Sequence, residues 1–299
     1  MNPFDSISST ATALADQGYF AGEDLATTVF LAVSLGRPLL LEGEPGVGKT
    51  ELARCLAALT EAELIRLQCF EGIDLAQAAY EWNVAQQMLE IRLIEASSRN
   101  QDGQPVSARD LYRRDLLIER PLLRALTAAK RPVLLIDELD RADEPFEAYL
   151  LEFLAEYQVT VPQIGTIKAA TPPLVIITSN RTRELHDALK RRCLYAWVDY
   201  PDFERELAIV RSKAPGAGEA LTHQIVQFVH AAREADLLKA PGVAEAIDWA
   251  QALTALDADS LDPDVVQASL GALIKVQDDL ARMKDGGATE LLSRVDTAG

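Results

Sequence analysis

Apolar and polar residues follow two different regimes along the chain. Up to Pro201, short aliphatic runs end abruptly in glycine, acid or amide. LLLE (Leu39 to Glu42) precedes a glycine-rich turn, RPVLLIDEL (Arg131 to Leu139) carries Asp137-Glu138 at its end, and LVIITSN (Leu174 to Asn180) stops at an amide. Aliphatic runs without polar alternation suit parallel strands buried on both faces. ELIRLQCF (Glu63 to Phe70) and CLYAWVDY (Cys193 to Tyr200) read as two further strands. Helix-period segments fill the intervals: DLATTVFLAVSL, Thr50 to about Leu59, PLLRALTAAK and EPFEAYLLEFLAEY. Strand alternating with helix predicts an α/β fold with a five-stranded parallel sheet, whose functional groups gather at the carboxyl ends of the strands.

Beyond Phe203 the β-like runs stop. FERELAIVRSK, LTHQIVQFVHAAREADLL, VAEAIDWAQALTAL and DPDVVQASLGALI are all helical in period, with breaks at APGAGE and KAPG. Two domains are expected, an α/β nucleotide-binding domain over 1–202 and a small all-α domain over 203–299. The last stretch, DGGATELLSRVDTAG, reads as a frayed tail.

Composition narrows the partners. The 299 residues are 48% hydrophobic and 25% charged, with a formal net charge of −17. Such a surface repels duplex DNA or RNA unless its positive charge is strongly segregated, so nucleic acid is disfavoured. No apolar run reaches the roughly 18 residues of a membrane span. The first twenty residues lack the basic and apolar regions of a signal peptide, so a cytoplasmic protein is expected. Cys55, Cys69 and Cys193 have no metal-type spacing and read as free thiols, and His186, His223 and His230 are scattered. No protein-built metal site is expected.

The sharpest motif is Gly43-Glu44-Pro45-Gly46-Val47-Gly48-Lys49-Thr50, which fits G-x-x-x-x-G-K-[ST] between a strand and a helix. The glycines let successive backbone N–H groups point inward, and the helix N-terminus adds positive potential for phosphate. Lys49 is expected to reach the β- and γ-phosphates of ATP, and Thr50 to ligate Mg²⁺. Asp137 suits a direct or water-mediated Mg²⁺ contact, and Glu138 is placed to polarise an attacking water. That second acid favours a hydrolase over a kinase, which has its own phosphate acceptor. Asn180 stands to hold the same water from the opposite side. Lys190-Arg191-Arg192 either complements a helix dipole or supplies an arginine finger to a neighbouring subunit.

In their order, GEPGVGKT, VLLIDELDRA, EFLAEYQVTVPQIGTIKA, LVIITSN and DALKRRCLYAWVDYP resemble the MoxR branch of AAA+ ATPases over most of residues 20–250. Within the branch the chain is most similar to the CoxD-like members, which accompany aerobic carbon monoxide dehydrogenase and related molybdenum hydroxylases. The resemblance implies an AAA+ core with a helical lid, and an oligomeric ring, commonly a hexamer, with ATP between subunits. It also implies a partner with a von Willebrand factor A (VWA) domain and a chaperone-like role in maturing a client metalloenzyme. Carried over, Lys49 and Thr50 are the Walker A pair, Asp137 and Glu138 the Walker B pair, and Asn180 is sensor 1. The finger aligns best with Arg192, with Arg191 as the fallback. The sensor 2 arginine of many members has no counterpart, since no basic residue lies between Ala240 and Leu256, and Lys239 is the nearest cation. Inserts are expected near 70–118 and a hairpin near 157–168, with Tyr80 and Trp82 either packing into the core or facing a partner. The competing readings are a nucleic-acid-associated AAA+ motor or clamp-loader-like switch, and a scaffold that binds ATP without turnover. A GTPase is disfavoured by the lack of an N-K-x-D motif.

Overall fold

The computed structural model describes residues 3–98 and 111–297. Most of the polar stretch SSRNQDGQPVSARD, from residue 99 on, falls outside the described residues. The chain divides into two compact units, one of residues 27–41 and 56–196, the other of residues 1–26, 42–55 and 197–299.

The first unit is built on a five-stranded parallel sheet. Along the chain its strands are β1 (Leu39–Gly43) and β2 (Leu64–Gln68), then, after a small antiparallel pair of β3 (Tyr80–Trp82) with β4 (Leu117–Glu119), β5 (Val133–Asp137). A hairpin of β6 (Gln158–Val161) and β7 (Gly165–Lys168) precedes β8 (Leu174–Ser179) and β9 (Leu194–Val198). The order in the sheet is β2-β5-β8-β1-β9. β1, β5 and β8 have no exposed residue, as expected of central strands covered on both faces. β2, at one edge, alternates and turns Arg66 to solvent. In register, Leu64 pairs with Val133 and Gln68 with Asp137, while Val133 pairs with Leu174. The carboxyl ends of β2, β5 and β8 therefore lie side by side.

Helices Pro121–Thr127 and Glu144–Glu156 bury Leu122, Leu123, Leu150 and Phe153 in the core of this unit. The second of them starts where the Asp143 carboxylate accepts from Phe146 N and stops at Tyr157, which adopts left-handed φ of 48°. Tyr80 and Trp82 pack against this core, and Trp82 meets Tyr112 edge-to-face at 5.1 Å. Helix Val84–Ser98 is different: Val84, Met88, Leu89 and Leu93 are all exposed.

The second unit is helical apart from its short strand ends. Its core gathers Leu207, Val210, Ile225, Phe228, Val229, Leu253, Val266 and Leu270 around Trp249, which is fully buried. Phe228 and Trp249 have ring centroids 5.0 Å apart, and the indole N–H donates to Ser269 Oγ at 2.8 Å. Glu206, also fully buried, is neutralised by Arg233 through two hydrogen bonds of 2.6 and 2.7 Å, and the same guanidinium lies 4.4 Å over the Tyr200 ring. The C-terminal stretch corrects the expectation of a frayed tail. Helix Ala288–Thr297 buries Leu291 and Leu292 in this core, and its apolar stripe outweighs the helix-breaking Gly286-Gly287 before it. Among the described residues no helix is long and apolar enough to cross a membrane.

Two outcomes follow from this packing. Trp249→Ala is expected to cost about 3–5 kcal/mol and Ser269→Ala about 1–3 kcal/mol, the latter because a buried indole N–H loses its acceptor; urea unfolding measures both. Burial pushes the thiols up, Cys55 to about 11 and Cys69 and Cys193 to about 12, with the carboxylates of Asp137, Asp140 and Glu138 adding to the effect at Cys69. A raised thiol pKa keeps the unreactive protonated form through neutral and mildly alkaline pH. A thiol reagent at pH 8 should therefore label the native protein very slowly at all three cysteines and the denatured protein at once.

Candidate functional site

β5 runs through aliphatic residues and ends on Asp137, whose carboxylate is buried. Burying a carboxylate is costly unless charge and hydrogen bonds compensate it. Here Thr178, in the neighbouring strand β8, donates its hydroxyl to Asp137 Oδ1 at 2.6 Å. Arg66, on the other neighbour β2, donates Nε and Nη2 to Oδ2 at 2.9 and 2.6 Å.

Glu138 leaves the strand in a left-handed conformation with φ of 54° and ψ of 50°. A non-glycine residue holds that conformation only when its surroundings enforce it. The enforcing contact is visible: Glu138 N donates to Thr178 Oγ1 at 2.9 Å, so the one hydroxyl serves both acids. The Glu138 carboxylate accepts from Gln68 Nε2 at 3.1 Å and pairs with Arg141 at 3.0 Å. Asn180 Nδ2 stands 3.5 Å from Glu138 Oε1, at the outer limit for a direct hydrogen bond. Asp137, Glu138 and Asn180 thus converge, though they are more than forty residues apart in sequence at the extremes.

Asp140 is the second buried acid, and it shapes the loop after β8. Its carboxylate accepts from Asn180 N at 3.1 Å, from Thr182 N at 2.9 Å and from Thr182 Oγ1 at 2.7 Å. Arg181, between those two, takes left-handed φ of 55°. The Asn180 side chain is therefore aimed by a carboxylate three residues beyond Asp137.

The glycine-rich turn belongs to the other unit. Lys49 opens helix Lys49–Leu59 and is almost wholly buried, its ammonium donating to Gly43 O and Glu44 O at 2.7 Å each. A Cβ on Gly43 would lie 2.0 Å from Val198 O, so no side chain fits there. Gly46 has left-handed φ of 79°, and its carbonyl accepts from Ala244 N at 3.3 Å, at the start of helix Val243–Ala255. Gly242 also comes close to the turn: a Cβ there would be 3.1 Å from Pro45 O. Where a sensor 2 arginine was sought, the helix start presents Glu245, which accepts from Gly242 N at 3.1 Å. Tyr19 lies beside Gly48 and is buried; desolvation raises its pKa, with the Cys55 and Glu51 charges adding to it. The turn thus joins left-handed glycines, a buried ammonium and a neighbouring aromatic ring at a helix N-terminus, an arrangement suited to phosphate.

Helix Asp187–Lys190 precedes Arg191 and Arg192, both exposed. Arg37 binds the carbonyls of Arg191, Arg192 and Cys193, which fixes this turn. The Arg192 guanidinium donates to Leu151 O, whereas that of Arg191 makes no hydrogen bond or ion pair among the described residues.

Sequence reading passed over Arg66, Gln68, Thr178 and Asp140. Two of them left a signal: Thr178 is a hydroxyl inside a fully buried strand, and Arg66 is a cation on the alternating edge strand.

Comparison with known proteins places this geometry. Residues 38–193 match the family described as AAA domain (dynein-related subfamily). An uncharacterized protein of Staphylococcus haemolyticus (strain JCSC1435) is 25% identical over 202 residues, covering 65% of this chain and 68% of that protein. An uncharacterized protein of Staphylococcus aureus (strain USA300) is 24% identical over 201 residues, with 65% and 67% covered. Among solved structures, two single-substitution variants of Thermotoga maritima RuvB align at TM-scores of 0.51 and 0.50, each 17% identical and covering 87% of this chain and 72% of the other. At that identity the likeness shows a shared fold. The family match spans more than half of the chain and includes the glycine-rich turn, the paired acids and Asn180: this protein belongs to the dynein-related AAA domain family.

Proposed function

We propose that this protein is an ATP hydrolase of the MoxR type that works as a remodelling chaperone. The observation that carries the reading is Glu138, a second acid bent out of the sheet beside Asn180 and next to a buried Asp137. A protein that only binds or transfers phosphate has little use for that acid. With Lys49 in the cradle at the phosphates, Glu138 takes the proton of a water attacking the terminal phosphate, Asn180 orients that water, and ADP and phosphate leave. The backbone of Gly43, Glu44, Pro45, Gly46, Val47 and Gly48 binds the phosphates.

Magnesium suits the donors at hand. The Thr50 hydroxyl and the Asp137 carboxylate are hard oxygen ligands, and Mg²⁺ on a nucleotide commonly takes only one or two of these, with water and phosphate completing its shell. When bound it would neutralise charge on the phosphates. Arg192, with Arg191 as the alternative, would complete the site of a neighbouring subunit in a ring, by resemblance a hexamer.

The finer reading rests on the segments that resemble the MoxR and CoxD-like proteins. They support a VWA-domain partner and a client metalloenzyme. The net charge of −17 speaks against a nucleic-acid track. The exposed apolar residues of helix Val84–Ser98 are compatible with a chain that docks on other proteins.

Glu138→Gln should keep ATP binding and lose at least about a hundredfold in turnover, the scale of general-base catalysis; normal turnover would remove Glu138 from the chemistry. Arg192→Ala should be inactive alone and regain activity when mixed with Lys49→Ala, since mixed rings pair an intact cradle with an intact arginine. Phosphate release across mixing ratios reads the recovery, with Arg191→Ala in parallel. No recovery in rings shown to be mixed would count against completion between subunits.

A further inference from the structure

Helix Glu144–Glu156 carries a buried acid that the chemistry above does not use. The Glu147 side chain is only 2% exposed, and its two oxygens take separate partners in the chain segment that follows β8. Oε1 pairs with the Arg183 guanidinium, and Oε2 accepts from His186 N at 2.8 Å. A carboxylate withdrawn from water is costly unless it is matched in this way. The acid therefore dictates where residues 183–186 run.

His186 stands at the start of helix Asp187–Lys190, where its Nδ1 accepts from Ala188 N at 3.1 Å. Leu185 and Leu189 anchor this stretch in the core. It ends on Arg191 and Arg192, and the Arg192 guanidinium donates to Leu151 O. Leu151 lies about one helical turn beyond Glu147. The same stretch of helix thus holds the arginine-bearing segment at both ends, through a charge at its entry and a carbonyl near its exit. Asn180 has a different anchor, the Asp140 carboxylate, which accepts from its backbone N–H at 3.1 Å.

Resting on the reading of Arg192, or Arg191, as the group that completes a neighbouring subunit's site, we propose that Glu147 is the positioning residue for that arginine. By binding His186 N and Arg183 it fixes the entry of the turn and so the direction from which the guanidinium is presented. Two buried acids then divide the loop after β8 between them. Asp140 holds the residue that serves the protein's own site, and Glu147 holds the residues that serve the next. Misplacing a catalytic group by about 1 Å costs on the order of a hundredfold in rate, so the anchor matters although it touches no substrate.

The test follows phosphate release from mixtures of full-length variants. Glu147→Gln keeps the shape of the side chain and removes its charge. It should bind ATP as the parent does, and alone turn over roughly ten- to a hundredfold more slowly. Mixed with Lys49→Ala, whose cradle is dead but whose turn is intact, it should recover; mixed with Arg192→Ala, or with Arg191→Ala if that is the inactive variant, it should not. A protein merely damaged in its own site would behave the other way round. His186→Pro deletes the donated N–H at a backbone φ of −63°, which suits proline, and carries the test if Glu147→Gln does not fold. It should show the same mixing pattern, while His186→Ala, which loses only the imidazole, should stay closer to the parent. Normal turnover, no recovery with Lys49→Ala, or recovery with the arginine variant instead would overturn the positioning role. If neither arginine variant recovers with Lys49→Ala in rings shown to be mixed, completion between subunits itself falls and takes this proposal with it.

Discussion

The candidate site depends on one costly group, the carboxylate of Asp137 buried at the tip of a strand made of aliphatic residues. A charge in that position is stable only if both oxygens are matched, and the two neighbouring strands match one each, β8 through Thr178 and β2 through Arg66. That requirement propagates outward. The Thr178 hydroxyl that serves Asp137 also accepts the Glu138 amide and so turns the next residue out of the strand line. Asp140, buried in its turn, ties down the loop that carries Asn180. Two buried acids thus build a site in which a third acid is left oriented and half-accessible.

The glycine-rich turn meets a parallel constraint with opposite charge. Lys49 is a buried cation whose ammonium is held by the carbonyls of the turn it serves, which keeps the cradle compact. The close packing of Gly43 against Val198 O leaves no room for a side chain there, and Gly242 sits tightly against Pro45 O. Helix Val243–Ala255 meets the turn through the hydrogen bond from Ala244 N to Gly46 O, and the same helix buries Trp249 in the all-helical core.

Much of this is legible in the order of residues along the chain. Strands β1, β5 and β8 announce themselves as unbroken aliphatic runs, and their polar ends name Lys49, Asp137, Glu138 and Asn180. The helical period after Phe203 forecasts the C-terminal bundle. What stayed hidden has a common cause: Arg66, Thr178 and Asp140 act through partners about forty to seventy residues away, and spacing along the chain carries no trace of such pairings. The terminal helix was missed for another reason, because Gly286-Gly287 and a polar composition mask the short stripe of Leu291 and Leu292 that docks it. The proposed MoxR character, ring and partner proteins rest on resemblance of whole segments, and no single residue contact encodes them.

The proposed function stands or falls on ATP hydrolysis that needs both the lysine of the cradle and the paired acids. The most direct measurement is phosphate release from ATP by the purified protein, with and without Mg²⁺, beside Lys49→Ala as the blank. Steady turnover that requires Mg²⁺ and disappears in Lys49→Ala is the expected result. Absence of turnover in the assembled protein, or turnover that survives in Lys49→Ala, would contradict it.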